Sequence, residues 1–132
     1  SMEQVIAAQP DVYIATGSRT KPGLASLRVG ALTSEHDADA SLAQLVARPG
    51  FDAIKAIHDG RVHGISHNYY DSPYNIVAIE AFAKWFYPQQ FSALDVRATE
   101  RELYRRFLAI PDTGTQWVDA PLPAAQAQQA AR

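Results

Sequence analysis

The sequence predicts an α/β domain, a mostly parallel sheet flanked by helices. Two short apolar runs, Asp11-Val12-Tyr13-Ile14-Ala15 and Arg61-Val62-His63-Gly64-Ile65, are β-branched and read as strands. The chain between them has helical periodicity, and strands joined through helices pair in parallel. With 132 residues, 47% of them hydrophobic, the chain amounts to one domain able to bury its own core.

Taken in order, Glu3 to Gln9 reads as a short helix that stops at Pro10, which lacks an amide donor and disfavours helix in the residue before it. The first strand runs out into the polar, turn-rich loop Thr16-Gly17-Ser18-Arg19-Thr20-Lys21-Pro22-Gly23. In Leu24 to Leu32, Leu27 and Val29 alternate with Arg28, which allows a further strand. From Asp37 or Asp39 a helix is expected, with Ala40, Leu42, Ala43, Leu45 and Val46 as its apolar face and a stop at Pro49-Gly50. Phe51, Ile54 and Ile57 recur at helical spacing and end at Asp59-Gly60, just before the second strand.

Ser72-Pro73 reads as a helix start, a serine cap followed by proline in the first helical position. That helix runs through Phe86 and stops near Pro88. After its first turn its only polar residues are Glu80 and Lys84, four apart with the glutamate first, so nearly its whole circumference is expected to be covered. Thr99 and Glu102 read as a capping box for a last helix to Leu108, with Arg101, Arg105 and Arg106 as a solvated face. Beyond Pro111 the composition turns to proline, alanine and glutamine. The folded unit is therefore expected in residues 1–110, with a partly disordered tail over 111–132.

Composition excludes several function classes. Twelve Lys+Arg against fourteen Asp+Glu is not the basic footprint of a nucleic-acid binder. Zero cysteines remove disulfide scaffolds, thiolate metal sites and cysteine catalysis. No apolar run reaches the length of a membrane span. Ser1-Met2-Glu3 leads into too short an apolar stretch, without a basic segment, to read as a signal peptide. Ser1 ahead of Met2 reads as a cloning remnant, so the chain is expected to be a piece of a longer protein.

If the two strands are parallel, Thr16–Thr20 and Ser66–Asp71 leave the same edge, where open α/β sheets bind ligands. Ser66-His67-Asn68-Tyr69-Tyr70-Asp71-Ser72 is unusual for a strand-to-helix connection: two tyrosines offer flat, rigid apolar area with hydroxyls. The candidate ligand-facing residues are Thr16, Gly17, Ser18 and Arg19 on one segment and His67, Asn68, Tyr69 and Tyr70 on the other. The alternative is that a tyrosine simply plugs the end of the core, and which one faces outward is open. His36, His58, His63 and His67 lack a metal-ligating spacing, so no metal site is expected. The Gly17–Gly23 loop satisfies no phosphate-binding motif, and Ser66-His67 are neighbours rather than a triad. No catalytic constellation and no cofactor are read, and an enzyme is not expected.

Three segments resemble one family. Glu3-Gln4-Val5-Ile6 through Pro10-Asp11-Val12-Tyr13-Ile14-Ala15-Thr16-Gly17 is similar to the segment that opens the second lobe of bacterial ABC-importer solute-binding proteins of the iron–siderophore, haem and cobalamin branch. Arg48-Pro49-Gly50-Phe51 with Ala56-Ile57-His58-Asp59-Gly60-Arg61-Val62 resembles a second motif of that branch. His67-Asn68-Tyr69-Tyr70-Asp71-Ser72-Pro73-Tyr74-Asn75, followed by Ala83-Lys84-Trp85 and Pro88, resembles a third. The match spans residues 3 to 108.

The resemblance implies a Rossmann-like carboxyl-terminal lobe of a class III periplasmic binding protein, periplasmic or cell-surface anchored in its full-length form. It further implies a metal chelate or cobalamin as ligand and an ABC permease as partner. Glu3 matches the glutamate that docks relatives onto the permease, with an ordinary first-turn carboxylate as the alternative. Arg19 would pair with a ligand carboxylate or catecholate. Half a clamp presents half a site, and its bared face is expected to favour self-association. Two other readings stand beside this one: a bare-metal binder of the same fold using His67, and a corrinoid or haem accessory domain.

Overall fold

A computed structural model describes residues 1–18 and 26–120 of the chain. The element order is α1 (Met2–Ala8), β1 (Tyr13–Gly17), α2 (Glu35–Val46), a 3₁₀ turn at Phe51–Ala53, α3 (Lys55–His58), β2 (Val62–Ser66), α4 (His67–Tyr70), α5 (Asn75–Phe86), α6 (Val96–Phe107) and β3 (Trp117–Asp119). The sheet has the order β1-β2-β3. β1 pairs parallel to β2, from Tyr13 opposite Val62 to Gly17 opposite Ser66. β3 runs antiparallel to β2, with His63 opposite Asp119 and Ile65 opposite Trp117. The expected parallel pair is thus present, and β3 adds a short antiparallel edge where a tail was expected. Thr115 to Val118 are buried. The remaining tail expectation, over 121–132, lies outside the described residues, as do Arg19 and the rest of its loop through Gly23.

Alternation along the strands divides the core. Val62 and Val118 join Leu27, Val29, Leu42 and Leu45 beneath α2. Ile65 and Trp117 join Val77, Ala81, Trp85 and Val96 of α5 and α6 on the other face. A third cluster, Phe51, Ile54 and Ala56, seats Met2, Val5 and Ile6 of α1. Each fully buried Leu or Ile contributes about 1.5–3 kcal/mol. Gln9 caps α1 in a left-handed conformation, and its side chain donates to Ala53 O at 2.8 Å and accepts from Lys55 N at 3.0 Å. That side chain ties the first helix to the third.

Several boundaries move for identifiable reasons. Ser34 caps α2 by accepting from Asp37 N at 3.1 Å, so that helix starts before Asp37. Asp95, not Thr99, caps α6 by accepting from Ala98 N at 3.0 Å. Glu102 lies mid-helix and binds Arg105 at 2.8 Å instead of closing a capping box. The Leu27/Val29 alternation is real, and both side chains are buried, but among the described residues the segment makes only isolated bridges, Ser18 with Arg28 and Gly30 with Thr115. Around α5, Ile76, Ile79 and Phe86 are exposed at 44, 58 and 46%, so its coverage is one-sided. Lys84 does not pair with Glu80; its Nζ donates to Leu94 O at 2.6 Å.

Candidate functional site

Parallel pairing of β1 and β2 ends with Gly17 level with Ser66, so Ser18 and His67 leave the sheet from one rim. Between them opens a cavity of about 270 Å³, lined among others by Ser18, Gly30, Asn68, Tyr69, Tyr104 and Gln116. Thr16 and Ser18 are exposed while Gly17 between them is buried. A Cβ on Gly17 would fall 2.3 Å from Leu27 O, so this glycine serves the close approach of the neighbouring segment.

The second segment is not a loop. Residues His67–Tyr70 form one helical turn directly after β2, extended by Ser72, whose Oγ donates to Asn68 O and accepts from Tyr74 N at 3.3 Å. Ser72 is therefore not the helix cap its sequence suggests: regular helix begins at Asn75, with Tyr74 in the cap position and no side-chain cap bond. A helical turn separates the two tyrosines by about 100°, and they part company. Tyr70 is 39% exposed, its hydroxyl 2.7 Å from His67 Nδ1. Tyr69 is 2% exposed and turned inward. His67 and Asn68 are exposed. The rim therefore presents Thr16, Ser18, His67, Asn68 and Tyr70, while Tyr69 reaches the cavity only from its floor.

Tyr69 is held by residues the sequence did not single out. Its hydroxyl donates to Glu100 Oε1 at 2.7 Å and lies 3.1 Å from the Tyr104 hydroxyl. Trp117 Nε1 donates to the other Glu100 oxygen at 3.3 Å. The ring of Tyr69 stacks on Tyr74 at 5.2 Å, and Tyr74 stacks on Tyr104 at 5.9 Å. Burial, then the contacts with Tyr104 and Glu100, push the Tyr69 phenol far above its ordinary value. The available sequence signal was a carboxylate in the apolar stripe of α6, Glu100 between Val96 and Tyr104 at helical spacing. A carboxylate there needs buried donors.

Glu3 is exposed in the first turn of α1, and a hydrogen bond from Ser1 holds its carboxyl below the ordinary value. Among the described residues it forms no ion pair, and no group of three His, Asp or Glu side chains could hold a metal ion. His63 is committed to Asp119 at 2.6 Å, and His58 to Asp59 at 3.0 Å.

A mixed sheet covered by helices on both faces, with two segments leaving one rim, is the fold of a lobe of a TroA-like periplasmic binding protein. One solved structure that carries it is the TroA-like periplasmic binding protein FepB from Veillonella parvula, similar to this chain at a TM-score of 0.84 and 27% identity. The match covers 92% of this chain and 35% of that one, so the chain spans about a third of the length of that protein. No protein-family model matches the chain, and no curated protein does.

Proposed function

We propose that this chain is the carboxyl-terminal lobe of an ABC-importer solute-binding protein that captures a metal chelate, an iron–siderophore complex, haem or cobalamin, and delivers it to a permease. The observation that supports the reading is the shared rim: β1 and β2 end level at Gly17 and Ser66, Ser18, Asn68 and Tyr69 line one cavity there, and His67 and Tyr70 are exposed beside it. The likeness to FepB supports the class of fold and leaves the ligand to the chemistry of the rim.

That chemistry is binding without bond making. Tyr70 supplies a flat ring edged by a hydroxyl, and Asn68 and the two hydroxyls supply hydrogen bonds. Such a mixture suits a large ligand rich in oxygen acceptors. Closure against a second lobe would complete the pocket, and Glu3 on α1 would present the loaded protein to cations of the permease. The site would act in the periplasm or at the cell surface. Ile76, Ile79 and Phe107 are exposed, and they are the apolar area through which an isolated lobe would self-associate.

The test is a titration of the chain with ferrichrome, haemin and cyanocobalamin, each followed by the ligand's own absorbance. One of the three is expected to bind saturably. Tyr70→Ala should weaken it by at least ~1 kcal/mol, as an aromatic anchor does. Unchanged affinity of that variant, or binding of none of the three, removes the rim from the reading.

A further inference from the structure

A second cavity, of about 380 Å³, opens at the opposite end of the sheet, where β2 begins, α5 ends and α6 starts. This volume falls within the range of small-molecule sites. The chain has two tryptophans, and both Trp85 and Trp117 line the cavity. The His63 ring stacks on Trp85 at 4.6 Å and 10°, and its Nδ1 is bound by Asp119 at 2.6 Å. With Nδ1 held by a carboxylate, the proton sits there, and His63 Nε2 has no partner among the described residues.

The cations around the cavity are only partly spent. Lys84 donates to Leu94 O at 2.6 Å and makes no ion pair among the described residues. Arg97 lies 3.9 Å from the Trp117 ring centroid and reaches Glu100 only at 3.5 Å, which leaves most of its N–H groups free of protein partners. Arg61 caps the end of α5 through Trp85 O at 3.0 Å and Phe86 O at 3.2 Å. Against these three cations the lining has two carboxylates, and both are engaged: Asp95 caps α6 and Asp119 holds His63. With Glu100 beside Arg97 the charges balance, but all three carboxylates are engaged while Lys84 and Arg97 keep unspent N–H donors, so apolar indole walls with free donors at the mouth select a flat anion over a flat cation.

We propose that this cavity is a second ligand site, for a planar aromatic carboxylate of one or two rings, with its ring along Trp85 and Trp117 and its carboxylate on the unspent N–H groups of Lys84 and Arg97. The site does not depend on the rim. It lies at the other end of β2 and shares no lining residue with the rim cavity.

The experiment titrates the ¹⁵N-labelled chain with 1-naphthoate, and with 1-naphthylmethylamine as the cationic match, while following the two indole N–H signals. The expected result is a saturable shift of both indole signals with naphthoate and at least about tenfold weaker binding of the amine. Lys84→Met and Arg97→Met should each weaken naphthoate about fivefold or more, with dispersed spectra certifying the fold. Three results would overturn the proposal: no saturable indole shift at about 5 mM naphthoate, equal binding of the amine, or shifts confined to the Asn68 and Tyr70 amides. Since the wild-type titration decides by itself, a variant that unfolds does not rescue the idea.

Discussion

Removing the Glu100 carboxylate is the most direct probe of what holds the rim turn in place. Glu100 is 3% exposed and accepts from Tyr69 at 2.7 Å and from Trp117 at 3.3 Å. In Glu100→Ala the Tyr69 hydroxyl can turn to Tyr104, 3.1 Å away, but the buried Trp117 N–H loses its one acceptor among the described residues. An orphaned buried donor costs about 1–3 kcal/mol and a lost charge-assisted hydrogen bond about 1.5–3. Relief of burying a carboxylate offsets part of that. The sum is a loss of about 3 kcal/mol, a large share of the ~5–15 kcal/mol of an ordinary domain. Tyr69→Phe keeps the Trp117 bond and should cost about 1–2 kcal/mol. The assay is urea unfolding with an unchanged slope, and the double variant should fall short of the sum of the singles by at least ~1 kcal/mol, because both delete one shared bond. A loss under ~0.5 kcal/mol for Glu100→Ala, or strict additivity, would refute the reasoning.

Three further outcomes follow from the same geometry. Spectrophotometric titration of the six tyrosines should leave Tyr69, Tyr104 and Tyr13 protonated above the ordinary phenol value of 10.0, since burial raises all three. These raised values stabilise the fold below pH ~10, and that contribution fades as pH climbs further; six phenols titrating together would contradict it. Lys55 bonds Asp11 at 2.7 Å and Asp59 at 3.0 Å; it holds the Asp11 carboxyl below its ordinary 3.8, and His58, then Lys55, do the same for Asp59. The gap in melting temperature between wild type and Lys55→Met should therefore be present at pH 7 and close as pH drops below about 3.8; a gap independent of pH would show that the pairs do not matter. Gly17→Ala should destabilise by about 1–3 kcal/mol, because its Cβ would meet backbone at 2.3 Å that no rotamer change can clear; a neutral urea midpoint would mean that the Leu27 segment moves freely.

Legibility tracked the range of the interactions involved. Local periodicity was enough to place β1, β2, α2, α5 and α6 within a few residues, since apolar spacing and punctuation by Pro10, Gly50 and Gly60 are encoded where they act. Cap choice was less legible. Thr99 and Glu102 satisfied a capping-box pattern, yet Asp95 was the residue whose carboxylate stood beside the first free amides. β3 was missed because three residues, Trp117 to Asp119, have no period of their own and become a strand only by pairing with β2.

The sequence alone determined that this is an α/β domain without cysteine chemistry, and that two polar segments should share an edge, because the order of strands and helices imposes parallel pairing. Tertiary packing decided the rest: that Tyr69 faces Glu100 and Tyr70 faces solvent, that Gly17 yields to Leu27, and that Trp85 and Trp117 line one cavity. The contact of Tyr69 with Glu100 joins residues 31 positions apart, beyond the reach of any local pattern. A free phenol and a buried one look alike in a sequence until the chain closes around one of them.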